Sequence, residues 1–382
     1  MTEHTKRSEL RAKAAMKRLL SWMDISGRSA VVLTKPSSVE WITGGISQPV
    51  DRSAYFSDIW AVVTCERSTL ITSNVESSRV WNEAYPRSHG FSEVITVPWY
   101  ELNTRAQVAA EIVGAYPSAL GVDGESMDFG VDISDDLIAL RLALSSPELE
   151  ELKSLGLDAT VAVEDGLKTW QPGESDRSLQ ARVSYGLEIS GARPVVIIVG
   201  GDERVEQYRH PLAMGAPMSR MAMVVVVAER RGLHVATTRF ASAETITLKT
   251  RRLFETVRRI ESDILRTSLP GKTYGEVLSA MDLAYEREGV PNGWRGHYQG
   301  GPIGFAQREF EIAPNQRNSR WFSQSMEVGH AVAWNPSLEG GAKVEDTYVI
   351  TESGPDLITK SPSWPSSQGW EADSLCANVL EV

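Results

Sequence analysis

Only two cysteines, Cys65 and Cys376, occur in 382 residues. They are too few and too far apart for a disulfide framework or a cysteine zinc site, and a reducing, cytoplasmic setting is the simplest expectation. Long apolar runs are also missing. The longest lies around residues 221–228, well short of the roughly 20 residues that span a bilayer. Residues 1–17 are polar and charged and lack the apolar centre of a signal peptide, so no membrane partner is expected. Positive charge is in deficit: Lys and Arg number 39 against 50 Asp and Glu, for a net charge of −11. That argues against a general nucleic-acid binder, which shows a basic face. Gly-Gly pairs at 200–201 and 300–301 are not followed by Gly-Lys-Ser/Thr and form no phosphate loop. There is no Gly-x-Ser-x-Gly elbow and no repeat of fixed period.

An apolar fraction of 42% supports a large core, and the length suggests two domains. Apolar periodicity predicts an amphipathic helix over residues 6–23, built on Leu10, Met16, Leu19, Leu20 and Met23. Strands and helices then alternate: strands at 29–34, 59–65, 68–72, 94–99 and 120–123, helices at 36–43, 74–86, 106–115 and 129–144. This alternation reads as an α/β domain over residues 1–145. The segment SSPELEEL at 145–152 combines N-cap serines, a proline suited to the first turn and acids that favour the positive helix end. It opens a second domain, 146–360, with helices to about 169 and at 176–190, 243–267 and 273–288, and strands at 195–199, 222–228 and 233–238. A polar tail, 361–382, follows.

Three stretches carry the chemistry. WRGHYQGGPIG at 294–304 joins a helical region to strands, VAWNP spans 332–336, and VEDTYVIT spans 344–351. Together they resemble the second half of the aminopeptidase P and creatinase family. The resemblance implies an α/β N-terminal domain plus an α+β pita-bread (creatinase/aminopeptidase-like) C-terminal domain, and a homodimer. In those peptidases two Asp from a strand pair, one His from a glycine-rich stretch and two Glu from the last strands hold two divalent cations. Here the first Asp position falls within 227–229, with Ala228 favoured, and the second at Ala236. The His is replaced by Gly301 and one Glu by Asn335; only Glu345 survives. One Glu and one Asn cannot balance two hard cations, so no metal and no other cofactor is expected.

By resemblance to creatinase, which has this fold without a metal, His210 is the candidate acid/base. It lies in QYRHP at 207–211, and an imidazole titrates near neutrality. His297 matches the family's other non-ligand histidine, and Glu345 is free to orient a substrate cation or a water. Arg209 and Arg308, with Glu309 beside the latter, are candidates to clamp a substrate carboxylate. Trp294, Tyr298, Phe305 and Trp334 are candidates for the pocket wall, and Asn335 for substrate contact. Each has a structural alternative: a hydrogen-bonded loop histidine, a surface ion pair, a core aromatic. His234 and His330 read as structural or exposed.

Three functions follow. The first is a metal-independent hydrolase or lyase acting at a C–N bond of a small polar molecule. The second is a catalytically dead peptidase homologue that binds a ligand or partner. The third is an Xaa-Pro metallo-aminopeptidase with ligands relocated to Glu229, Glu309, Asp346 or His330.

Overall fold

The computed structural model describes residues 3–46, 50–51, 53–84, 86–101, 103–114, 119–124, 130–313, 319–361, 363–368 and 375–382. It divides into two units, Met1–Glu148 and Leu149–Val382.

The first unit contains α1 (Glu3–Ser26), β1 (Ala30–Leu33), α2 (Pro36–Thr43), β2 (Ile59–Thr64), β3 (Ser68–Ser73), α3 (Ser77–Glu83), β4 (Glu93–Val97), α4 (Thr104–Val113), β5 (Leu120–Val122), β6 (Val131–Asp132) and α5 (Ser134–Leu142). Its six strands form one mixed sheet in the order β4-β3-β2-β1-β5-β6. The apolar strand β1 is buried along its whole length. In α1 the buried stripe is Ala12, Ala15, Leu19 and Met23, while Leu10 and Leu20 are exposed. The small alanines let α1 approach the end of α2. A Cβ on Gly44, the left-handed C-cap of α2, would lie 2.2 Å from the Ser8 carbonyl oxygen, so only glycine fits there. The helix expected from 129 is delayed: a short strand comes first, and the helix begins at Ser134. Ala115, Phe129 and the residue at 85, which border expected helices, lie outside the described residues.

Next come α6 (Ser146–Lys168), β7 (Glu174–Ser175), α7 (Asp176–Ile189), β8 (Arg193–Gly201), α8 (Asp202–Gln207), β9 (Pro217–Met218), β10 (Met221–Arg230), β11 (Leu233–Ser242), α9 (Leu248–Thr267), α10 (Tyr274–Arg287), β12 (Gly300–Pro302), β13 (Ala331–Trp334), β14 (Asp346–Thr351), β15 (Gly354–Leu357), β16 (Ser366–Gln368), β17 (Leu375–Ala377) and β18 (Leu380–Glu381). The short helix α8 lies where no element is expected from the sequence.

Two four-stranded sheets position the site, β18-β11-β10-β8 and β12-β13-β14-β15. β10 and β11 form an antiparallel hairpin in which Val227 pairs with Ala236. Both strands run several residues beyond the expected ones, because their apolar residues are buried in an unbroken ladder. The sheets meet where β11 passes the start of β14. The Thr238 amide donates to the Glu345 carbonyl at 2.9 Å. The Ala236 amide donates to Thr347 Oγ1 at 2.8 Å, and that hydroxyl donates to the Ala236 carbonyl at 2.9 Å. Of the tail, residues 362 and 369–374 lie outside the described residues; its end, β18, extends the first sheet in parallel to β11. No helix among the described residues is long and apolar enough to cross a membrane.

Candidate functional site

Four segments distant in sequence supply the polar groups around the sheet junction. Glu345, on the run into β14, is buried. Its Oε2 accepts from Thr238 Oγ1 at 2.7 Å and its Oε1 accepts from Asn335 Nδ2 at 3.0 Å. Two neutral donors therefore hold this carboxylate. Asn335 Oδ1 is buried and has no hydrogen-bond partner.

The His210 and His297 rings meet edge to face, with Nε2 to Nε2 at 3.1 Å. The turn that presents His297 is tied by Gln299, whose Nε2 donates to the Trp294 carbonyl at 3.0 Å and the His297 carbonyl at 2.9 Å. Tyr285 anchors Gln299 in turn, donating to its Oε1 at 2.9 Å and accepting from the Ser337 amide at 3.0 Å. His297 Nδ1 is bonded to the Tyr298 carbonyl. A carbonyl only accepts, so Nδ1 carries the proton, His297 Nε2 is bare, and His210 donates its Nε2–H to it. Burial, reinforced by the Lys343 charge, pulls the His297 pKa down to about 3. The same two causes lower that of His210. Both rings are neutral at pH 7.

Lys343 carried no signal in the reading of the sequence and turns out to be central. It pairs with Ser337 across an isolated bridge and is 4% exposed, and its Nζ has no hydrogen-bond partner. Burial pushes its amine below the usual range; Glu345 opposes the shift and Arg209 adds to it. The available signal was the spacing Lys343–Glu345, since residues i and i+2 of an extended run share a face. Arg209 lies against Gly296 and reaches Ser337 Oγ at 3.5 Å.

Arg308 fills the place the resemblance gives to the ligand histidine. Gly301 has φ +143°, and a Cβ built on it would meet Arg308 Nη1 at 3.0 Å. Arg308 Nε and Nη1 are buried without a hydrogen-bond partner, and its Nε lies 3.8 Å from Glu311 Oε1. Glu309 braces the turn: its Oε1 accepts from the Phe305 amide at 2.7 Å and the Ala306 amide at 3.2 Å.

A cavity of about 320 Å³ opens beside His297, with Trp294, Tyr298, Gln299 and Trp334 in its wall. Tyr298 is exposed, whereas Trp334 is 2% exposed and donates Nε1–H to Ser268 Oγ at 3.0 Å. Phe305 is buried in the core.

Residues 154–352 match Metallopeptidase family M24 over more than half of the chain. The chain belongs to metallopeptidase family M24. It is 20% identical to an Xaa-Pro dipeptidase of Lactobacillus delbrueckii subsp. lactis, over 88% of this chain and 94% of that one. Among solved structures it is similar to an Xaa-Pro dipeptidase from Bacillus anthracis (TM-score 0.72, 19% identity, 97% and 100% of the two chains). It is also similar to the dipeptidase PepE from Mycobacterium ulcerans (TM-score 0.73, 18% identity, 94% and 97%). At such identities the likeness establishes the fold: an N-terminal α/β domain followed by a pita-bread domain.

Membership in M24 implies a metal pair, and the side chains present do not fit one. Ala236 and Gly301 offer no ligand atoms, Asn335 offers no charge, and Glu345 is a single carboxylate already held by two donors. Among the described residues no group of three or more His, Cys, Asp or Glu is placed to hold a metal ion. The candidates for relocated ligands have other tasks. Glu229 is bonded to Arg193 and accepts from the Gly232 amide at 2.6 Å. Asp346 pairs with Arg239 at 2.9 Å. His330 Nδ1 lies 3.1 Å from the Tyr274 hydroxyl.

Proposed function

We propose that this M24 protein is a metal-independent enzyme that hydrolyses or eliminates at a C–N bond of a small polar molecule, with His210 as acid and base. The observation that carries the reading is the pair of neutral imidazoles in Nε2–Nε2 contact beside an aromatic-walled cavity. With Nε2–H committed to His297, the bare nitrogen of His210 is Nδ1. It takes a proton from an attacking water, or from substrate carbon in an elimination, and returns it to the leaving nitrogen. Burial and the nearby Lys343 charge disfavour the imidazolium, which makes protonated His210 a strong acid toward that nitrogen. Trp294, Tyr298 and Trp334 offer faces for a flat or cationic group. Glu345 orients a water or a substrate cation.

The test is His210→Ala assayed on small amides, amidines and amino-acid derivatives, with the fold followed by circular dichroism. Loss of turnover by about a hundredfold or more is expected; full activity sinks the assignment. Elemental analysis, with an Xaa-Pro peptide assay with and without manganese, guards the metal side. Two bound metals together with Xaa-Pro cleavage would overturn the reading. One observation favours the second reading, a ligand-binding protein without catalysis: among the described residues no carboxylate bonds to either imidazole to orient it, as a triad would require. Intact ligand binding with no turnover of any compound would decide for it.

A further inference from the structure

The cavity beside His297 has walls whose polar atoms are already used. Tyr274, Leu278 and Met281 of α10 and Trp334 of β13 line it and are all buried; half-buried Trp294 joins them. Trp334 Nε1–H goes to Ser268 Oγ, and Trp294 Nε1–H goes to Asp282 Oδ1 at 2.7 Å. The Tyr274 hydroxyl is bonded to His330, and both ring nitrogens of His297 are bonded. The Gln299 amide holds two carbonyls and the Tyr285 hydroxyl. The other polar side chains of the lining, Arg295, Tyr298 and Glu311, belong to exposed residues. A polar guest would give up water inside and gain no hydrogen bond there. An apolar ring gains area removed from water and aromatic contacts.

Charge narrows the guest further. The Arg295 guanidinium lies 5.4 Å from the Trp294 ring centroid, and the charges of Lys343 and Arg209 act on His297. Glu311, the acid in the lining, has Arg308 Nε at 3.8 Å. A cationic guest would meet this positive field, so the rings favour a neutral one. Size sets the last bound. An apolar cavity of roughly 150 Å³ takes up benzene, and this one measures about 320 Å³, room for two fused rings. We infer that the cavity seats a neutral, planar bicyclic group of the substrate, and that Leu278, Met281, Trp294 and Trp334 determine that specificity. His297 belongs both to the cavity lining and to the imidazole pair, so the ring system attaches close to the bond on which His210 acts. The inference rests on the enzymatic reading above for the word substrate, but not for what the cavity accepts.

Calorimetric titration of the full chain tests it with 4-methylquinoline and N-methylquinolinium in mildly alkaline buffer. The two fused-ring probes are of equal size, and only the second is charged. Wild type is expected to bind the neutral probe saturably and the cation at least tenfold more weakly. Leu278→Trp, which fills the cavity, and Trp294→Ala, which removes an aromatic face, are each expected to weaken 4-methylquinoline binding at least tenfold. If Leu278→Trp does not fold by circular dichroism, Trp294→Ala decides. No saturable binding of the neutral probe, equal or tighter binding of the cation, or unchanged affinity in either folded variant overturns the inference. His210→Ala should leave 4-methylquinoline affinity within about threefold of wild type. Cavity-dependent binding together with full turnover in His210→Ala would sink the acid/base reading alone. Turnover that needs His210, with 4-methylquinoline affinity indifferent to Leu278→Trp and Trp294→Ala, would sink this inference alone.

Discussion

Glu345 and Asp346 are adjacent carboxylates, both buried, on opposite faces of one extended segment. Asp346 sits among groups that match it: Arg239 at 2.9 Å, Thr359 Oγ1 at 2.7 Å and Thr237 Oγ1 at 3.2 Å. Glu164 lies 3.6 Å from the same guanidinium. Charge is met by charge, as a buried structural pair requires. Glu345 is held only by an amide and a hydroxyl, while Lys343 and Arg308, which feel its charge, keep unbonded N–H groups. On the Asp346 face a guanidinium meets carboxylates, although Arg239 Nε and both Glu164 oxygens lack hydrogen bonds; on the other face Glu345 meets only neutral donors.

Isosteric changes at the two neighbours test the contrast. Asp346→Asn should cost about 3–5 kcal/mol in urea unfolding, because it leaves buried Arg239 only the more distant Glu164, at 3.6 Å, as counter-charge. A cost under 1 kcal/mol would remove the distinction. The next effect concerns pH. Glu261, bonded to Tyr348 and Cys376 on the ionic side, has its pKa raised by burial from 4.5 to about 7. Its neutral form contributes stability that is full below pH 4.5 and is lost as pH rises through about 7. Glu261→Gln should abolish that loss, roughly 3 kcal/mol at most, so the variant gains on wild type in melting temperature between pH 5 and 8. Parallel curves for the two proteins would contradict this. His330 acts in the opposite sense: burial lowers its pKa from 6.5 to about 4. Its contribution is full above pH 6.5 and is lost as pH falls through 4.

Glu345→Gln should cost only about 1 kcal/mol, since Thr238 can accept as well as donate and Asn335 has a free Oδ1. A loss of 3 kcal/mol or more would make Glu345 a structural charge like Asp346. The smallest effect belongs to Lys343→Met, expected to change stability by less than about 1 kcal/mol or to raise it, because it removes a buried ammonium that has no hydrogen bond. Strong destabilisation would show that Lys343 is already paired.

Much of this was readable in the chain. The apolar runs of β10 and β11 specify the hairpin, and the stretches at 294–304, 332–336 and 344–351 point to the family. The histidines at 210 and 297 stood out through the family resemblance, which places them at its non-ligand histidines, and because an imidazole titrates near neutrality. Lys343 did not, since a lysine in a glycine-flanked turn reads as solvated. For Glu309, a candidate for substrate contact, the chain gave no sign that its Oε1 accepts from two backbone amides one turn away. α1 shows the same limit in the core, where Ala12 and Ala15 are buried and the larger Leu10 and Leu20 are not.

The sequence, read through its family resemblance, put Ala, Gly and Asn at positions 236, 301 and 335, where a metal pair would need ligands. No packing gives Ala or Gly a ligand atom, or Asn a charge. Only the tertiary structure decided what stands there instead. His210, His297 and Lys343 are separated by tens of residues, and whether two imidazoles touch and an ammonium goes unpaired depends on how the sheets bring those segments together. Arg308 enters the space at Gly301 for the same reason: a missing side chain leaves room, and only the fold determines which neighbour fills it.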